Sequence, residues 1–162
     1  MLVRLVAALL LVATSLPVTA GEDLRIRTDY AQIADRNVLI VDGAWIKLQG
    51  LDCPARGSAA GDRAFMSLQL FLEEAKEVSC TVSSQLANED ADFLGTCFAK
   101  PGYETAAKEI DIAHWATQGG LCGRCGRSDP EGHYGIYDPF YNGPRTPECE
   151  SLRAEYPFHP IP

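Results

Sequence analysis

The stretch Ile46 to Gly57, IKLQGLDCPARG, begins as a strand and ends as a turn. Ile46 and Leu48 alternate with Lys47 and Gln49, the period of a half-buried β-strand. Asp52 then stands just before Cys53 and Pro54, where a short acidic side chain forms turns by bonding its own backbone. What surrounds this junction fixes the reading of the whole domain.

Upstream, LRIRTDYAQI (Leu24 to Ile33), NVLIV (Asn37 to Val41) and WIKLQGL (Trp45 to Leu51) are short alternating or β-branched runs, broken by ADRN and DGA. The Asp42-Gly43 pair is a hairpin signal, so three antiparallel strands are expected. Downstream, small residues from Gly57 lead into an apolar series at Ala64, Leu68, Phe71, Leu72 and Ala75, one face of a helix that packs on the sheet. VSCTVSS and FLGTCFA read as two further strands, separated by the polar QLANEDAD; if they pair, Cys80 and Cys97 sit opposite one another. KEIDIAHWATQGG predicts a short second helix with apolar positions Ile112, Trp115 and Ala116 and a double-glycine stop. A third helix is predicted from Pro147 to Tyr156, with Thr146 as its N-cap and Glu148 and Glu150 at the positive end of the dipole. Between them the chain from about residue 120 is a Cys-, Gly-, Pro- and Tyr-rich loop region. The order of elements fits a five-stranded OB-type barrel with two to three helices, an α+β domain.

The first twenty residues, MLVRLVAALLLVATSLPVTA, read as a secretory signal peptide: one basic residue, Arg4, an apolar run, then small residues. The expected mature chain, residues 21–162, suits one domain, exported to the periplasm or secreted, with no integral membrane association after cleavage. Its 13 basic residues against 22 acidic ones leave a charge of about −9. Nucleic-acid binding usually rests on the opposite balance, so long-range attraction to a polyanion is not expected.

All six cysteines, Cys53, Cys80, Cys97, Cys122, Cys125 and Cys149, lie in the mature part, an even number that predicts disulfides in an exported chain. Cys122 and Cys125 also have the spacing of a thioredoxin-type redox pair, and with Cys149 and His133 they offer zinc-ligand types. The oxidising compartment favours disulfides over both. His114 is expected on the second helix beside Trp115; His133 and His159 have no paired nucleophile. Tyr134, Tyr137, Phe140 and Tyr141 serve either as loop packing or as a stacking platform for bases or sugars.

From about Tyr30 to Leu121 the chain resembles the staphylococcal nuclease (thermonuclease) family, secreted calcium-dependent phosphodiesterases with an OB fold. IKLQGLDCPA resembles the family's I-R-L-x-G-I-D-A-P-E strand, GDRAFMSLQLFL its following helix, and EIDIAHWATQGGL its D-L-N-x-x-L-V-x-x-G-x-A helix. Two registers connect the family's D-G-D-T hairpin to this chain. One places it on Asp35, Arg36, Asn37 and Val38, the other on Asp42, Gly43, Ala44 and Trp45; the first leaves room for a return strand.

The resemblance implies a calcium site, and hydrolysis there needs hard oxygen ligands, a base and cations facing the phosphate. Asp52 matches the retained calcium carboxylate, with the backbone carbonyl of Cys53 as a neighbouring ligand. Asn37, or Ala44 in the other register, replaces the second acid. Ala55 stands at the general-base glutamate, Lys47 at the first phosphate-clamping arginine, and the second arginine's turn reads NEDADFLGTCF, with Asp90 and Asp92 instead. Arg56 has no basic form at neutral pH, and Asp62 and Glu73 are the helix carboxylates that a substitute base would come from. General-base assistance is worth roughly 10² to 10⁴ in rate, so catalysis is expected to be lost and no cofactor to be needed. The expectation is therefore a degenerate nuclease-like protein acting in binding or structure. An active divergent nuclease would instead use Ca2+ with Asp52 and Asn37, and Lys47 on phosphate. The resemblance implies a third class as well, an accessory role in succinoglycan-type exopolysaccharide synthesis, with polysaccharide in place of nucleic acid as partner. It also brings the segment after the second helix close to the turn of Cys53, implying a bridge from Cys53 to Cys122 or Cys125.

Overall fold

The computed structural model describes residues 24–85, 91–102, 108–125, 141–147 and 149. The expected signal peptide, Asp90, His133, His159, Tyr134, Tyr137, Phe140 and nearly all of the expected third helix lie outside them.

Four strands come first: β1 (Leu24–Thr28), β2 (Ala31–Asp35), β3 (Val38–Val41) and β4 (Ala44–Leu48), followed by the short β5 (Leu51–Asp52). The first expected strand is thus divided at Asp29 and Tyr30. Asp42 and Gly43 both have positive φ, 52° and 79°, the backbone of a tight two-residue turn whose twist matches the strands it joins. Arg36, φ 40°, makes the preceding hairpin turn, next to a register shift between Ile33 and Asp35.

Helix α1 (Ala59–Glu73) follows. Ser58 caps it, its hydroxyl accepting from the Gly61 N–H at 3.0 Å, and Asp62 accepts from the Gly57 N–H at 2.9 Å. Gly61, Ala64, Leu68 and Leu72 form its buried stripe. At Gly61 the helix lies so close to the 53–57 turn that a Cβ would overlap the Ala55 carbonyl. The helix ends earlier than expected, because Ala75 begins the long strand β6 (Ala75–Gln85), whose Val78, Cys80 and Val82 alternate into the core. Strand β7 (Phe93–Pro101), the two-residue β8 (Ile110–Asp111), helix α2 (Ile112–Gln118) and β9 (Gly123–Arg124) complete the described chain. Asp111 caps α2 by accepting from Ala113 and His114 N–H. Gly120, at φ 63°, turns the chain out of the helix as the double glycine predicts.

Over the described residues the result is an α+β domain: a mixed seven-stranded sheet in the order β1-β6-β7-β4-β3-β2, with β8 beside β7, and the helices α1 and α2. All ladders are antiparallel except β4 with β7, which is parallel and needs the α1–β6 crossover to form. The hydrogen-bonded ladder runs from β1 to β2 and does not close on itself. The outer edge of β2 is blocked by α1, since Gln69 Oε1 accepts from the Ile33 N–H at 3.2 Å. Leu39, Val41, Ile46, Leu48, Leu68, Val78 and Ile112 build the core under α1 and α2. No described helix is long and apolar enough to cross a membrane.

Three disulfides are present: Cys53–Cys122, Cys80–Cys97 and Cys125–Cys149. Cys80 and Cys97 are cross-strand partners in register, as their strands predict. Together the three bonds belong to a chain that matures in an oxidising compartment.

Candidate functional site

Asp52 ends β5, which pairs with β9 so that Leu51 faces Arg124 and Asp52 faces Gly123. The neighbouring residue on each side of this ribbon is also fastened: the Cys125 N–H donates to the Gly50 carbonyl at 2.8 Å, and Cys53 is bonded to Cys122. Leu51, Asp52 and Cys53 are therefore covered by the chain that follows α2, while Ala55, Arg56 and Gly57 beyond them are exposed.

A second layer comes from residues 141–149. The Thr146 N–H donates to Asp52 Oδ2 at 2.7 Å, across 94 residues of sequence. Arg145 Nη1 donates to the Arg124 carbonyl at 2.8 Å, and its guanidinium lies 5.2 Å from the centre of the Tyr141 ring. The Tyr141 hydroxyl donates to the Pro144 carbonyl at 2.6 Å. Gly123 lacks a side chain because Tyr141 and Arg145 occupy that space. Thr146 is the expected N-cap, its hydroxyl accepting from the Cys149 N–H at 3.4 Å, and Cys149 closes the layer by bonding Cys125.

Asp52 is 5 % exposed, and this burial pushes its carboxyl above the ordinary range. Hydrogen bonds from the Thr146 backbone and hydroxyl, and the positive fields of Arg145 and Arg36, oppose the rise without cancelling it. Tyr141 is pushed up too, by its burial and then by the negative charge of Asp52, with Arg145 opposing.

Asn37 is also buried and committed. Its Nδ2 donates to the Leu51 carbonyl at 2.8 Å and to the Leu48 carbonyl at 3.4 Å, while its own backbone carbonyl accepts from the Leu48 N–H at 2.7 Å. The side chain is a clamp on the bend between β4 and β5, using its amide as a donor. A cation ligand has to present oxygen instead. With one carboxylate oxygen already bonded by Thr146 and the neighbouring amide facing carbonyls, the residues present do not fit calcium. Among the described residues no group of three His, Cys, Asp or Glu side chains is placed to hold a metal.

The remaining expected participants are dispersed. Lys47 is half-buried on β4, opposite Val38 and Leu94. Ala55 is exposed on the turn. The Arg56 guanidinium sits 3.9 Å over the Phe65 ring. Asp62 is spent at the start of α1, Glu73 at its far end accepts from Gln69 Nε2, and Asp92 Oδ2 accepts from the Trp45 N–H at 2.9 Å. The charged side chains that act on Asp52 are Arg145 and Arg36, and neither helix carboxylate is among them. Cys122 and Cys125 are separated by the extended β9 and bond other partners, so CGRC is neither a redox pair nor a thiolate zinc site here. Tyr141, 6 % exposed, packs the loop and offers no open ring face for stacking.

Sequence reasoning missed Arg36, Arg145 and the Asp52–Thr146 bond. The cap at Thr146 had a local signal; its partner did not.

The raised Asp52 carboxyl gives a sign that can be checked. Ionising a group whose folded pKa lies above its unfolded value costs native stability, and the cost disappears as pH falls through the raised value toward the ordinary 3.8. Asp52→Asn offers an acceptor to the Thr146 N–H without that ionisation. The unfolding free energy of the wild type minus that of D52N should therefore rise as pH is lowered from about 7 to about 4. Urea denaturation of both proteins across that range measures it, and a flat difference contradicts the expectation.

In comparison with known proteins, no protein-family model matches this chain, and no curated protein matches it.

Proposed function

We propose that this chain is an exported, catalytically silent protein of the staphylococcal nuclease type, periplasmic or secreted, that acts by binding or as a structural element. The observation that carries this reading is the covered carboxylate: Asp52 Oδ2 bonded to the Thr146 N–H at 2.7 Å, beneath a layer held by Cys53–Cys122 and Cys125–Cys149. The turn beside it carries Ala55, whose methyl neither takes a proton nor directs water.

The strand arrangement supports the OB part of the proposal. β1 and β2 stand at opposite ends of the ladder yet are joined by two residues, Asp29 and Tyr30. Taken as one bent strand, they turn the order β1-β6-β7-β4-β3-β2 into a ring of five, with α1 between its third and fourth members. The hairpin at Arg36 and Asn37, followed by β3 and β4, favours the register that puts Asn37 at the lost acid.

Purified protein is incubated with single-stranded DNA in calcium and, separately, in a chelator. Equal, background-level cleavage in both is expected. Calcium-dependent cleavage by clean protein overturns the proposal.

A further inference from the structure

We propose that the outer face of β3, β4 and β7 is a saccharide-binding platform centred on Trp45. The proposal rests on the reading of the chain as a binding protein and names a ligand class and a surface for it, away from the covered Asp52.

On β4 the side chains alternate: Ile46 and Leu48 are in the core, while Trp45 and Lys47 stand on the opposite face. Cross-strand register puts half-buried Ile40 beside Trp45 and half-buried Leu94 beside Lys47. Trp45 is 45 % exposed at the middle of this group. Its main chain is held by one residue on both sides: the Asp92 N–H donates to the Trp45 carbonyl at 2.8 Å, and Asp92 Oδ2 accepts from the Trp45 N–H at 2.9 Å. The indole is therefore carried on a fixed backbone, flanked by aliphatic side chains and presented to solvent.

The polar neighbours decide what it receives. A sugar ring offers a C–H face for an aromatic ring and hydroxyls that both donate and accept. Lys47, with no ion pair among the described residues, supplies donors; the second Asp92 oxygen supplies an acceptor. A single-stranded nucleic acid would also stack, but its phosphates would meet the exposed Asp92 carboxylate and a chain with a net charge of −8. A neutral oligosaccharide meets neither cost.

Binding is read by isothermal titration calorimetry, which needs no tryptophan and serves the wild type and every variant alike. The oxidised full chain is titrated with neutral hexaoses of glucose, mannose and galactose, and with an oligothymidylate. At least one hexaose should bind the wild type saturably at millimolar concentration or below. W45A should weaken that binding about tenfold or more, and W45F less, because a smaller aromatic ring remains. K47A and D92N should each weaken it several-fold, D92N keeping an acceptor for the Trp45 N–H. Thermal unfolding of each variant shows that the fold is kept, and W45F with K47A carries the test if W45A does not fold. No saturable binding of any hexaose, equal binding by W45A or W45F and wild type, or tighter binding of oligothymidylate than of every hexaose overturns the platform. DNA cleavage is read separately, so either proposal can fail without the other.

Discussion

Complete reduction of the three disulfides is expected to unfold the protein. The bonds close separations of 69, 17 and 24 residues for Cys53–Cys122, Cys80–Cys97 and Cys125–Cys149. On loop-closure entropy, bonds of this span contribute roughly 3 to 4.5 kcal/mol each, and a domain of this size has only about 5 to 15 kcal/mol in total. The ordering of single-bridge variants is informative. C53A/C122A opens the longest loop and leaves β9 held to the Asp52 turn by backbone pairing alone, so it should cost the most. C125A/C149A frees only the 141–149 layer and should leave the sheet folded, with its loss confined to that layer. Urea denaturation followed by far-ultraviolet circular dichroism, with and without a dithiol reductant, measures both. A reduced chain with an unshifted transition would contradict the assignment of stability to these bonds.

Asn37→Asp should destabilise the protein by about 3 kcal/mol or more. On resemblance alone the change restores a lost acid and ought to be benign. In this structure the amide is needed as a donor: Nδ2 faces the carbonyls of Leu51 and Leu48, and position 37 is 6 % exposed. A carboxylate there aims negative charge at two carbonyl oxygens beside a buried aspartate. Asn37→Ala loses the donor without adding charge and should cost about 1 to 3 kcal/mol. Chemical denaturation at neutral pH distinguishes the two. Equal stability of N37D and wild type would mean that this side chain is an open ligand position rather than a clamp.

The parts of the fold that local chemistry controls were legible in the sequence. Asp42-Gly43 demanded a backbone that few other pairs adopt, the stripe Ala64, Leu68, Leu72 repeated at helical spacing, and Gly119-Gly120 ended α2. Periodicity says which face is buried, not what covers it. That is why helical spacing places Ala75 in the last turn of α1 although it starts β6: an alanine on the inward face satisfies both. The division of the first strand at Asp29 and Tyr30 carries no Gly or Pro, only a turn-favouring aspartate, and follows from the two halves pairing with different neighbours, β6 and β3. At the site, the replacement of acid and base groups was visible residue by residue. The roles of Asn37 and Arg145 were not, because each depends on a partner brought in by the tertiary fold.

The Cys125–Cys149 bond has a topological meaning apart from its energy. It makes the intervening chain a closed covalent ring, so a backbone cut at any one point between those two residues severs the polypeptide without separating its pieces. The segment that shields Asp52 stays tethered to the sheet after such a nick, and only a second event, reduction, lets it diffuse away.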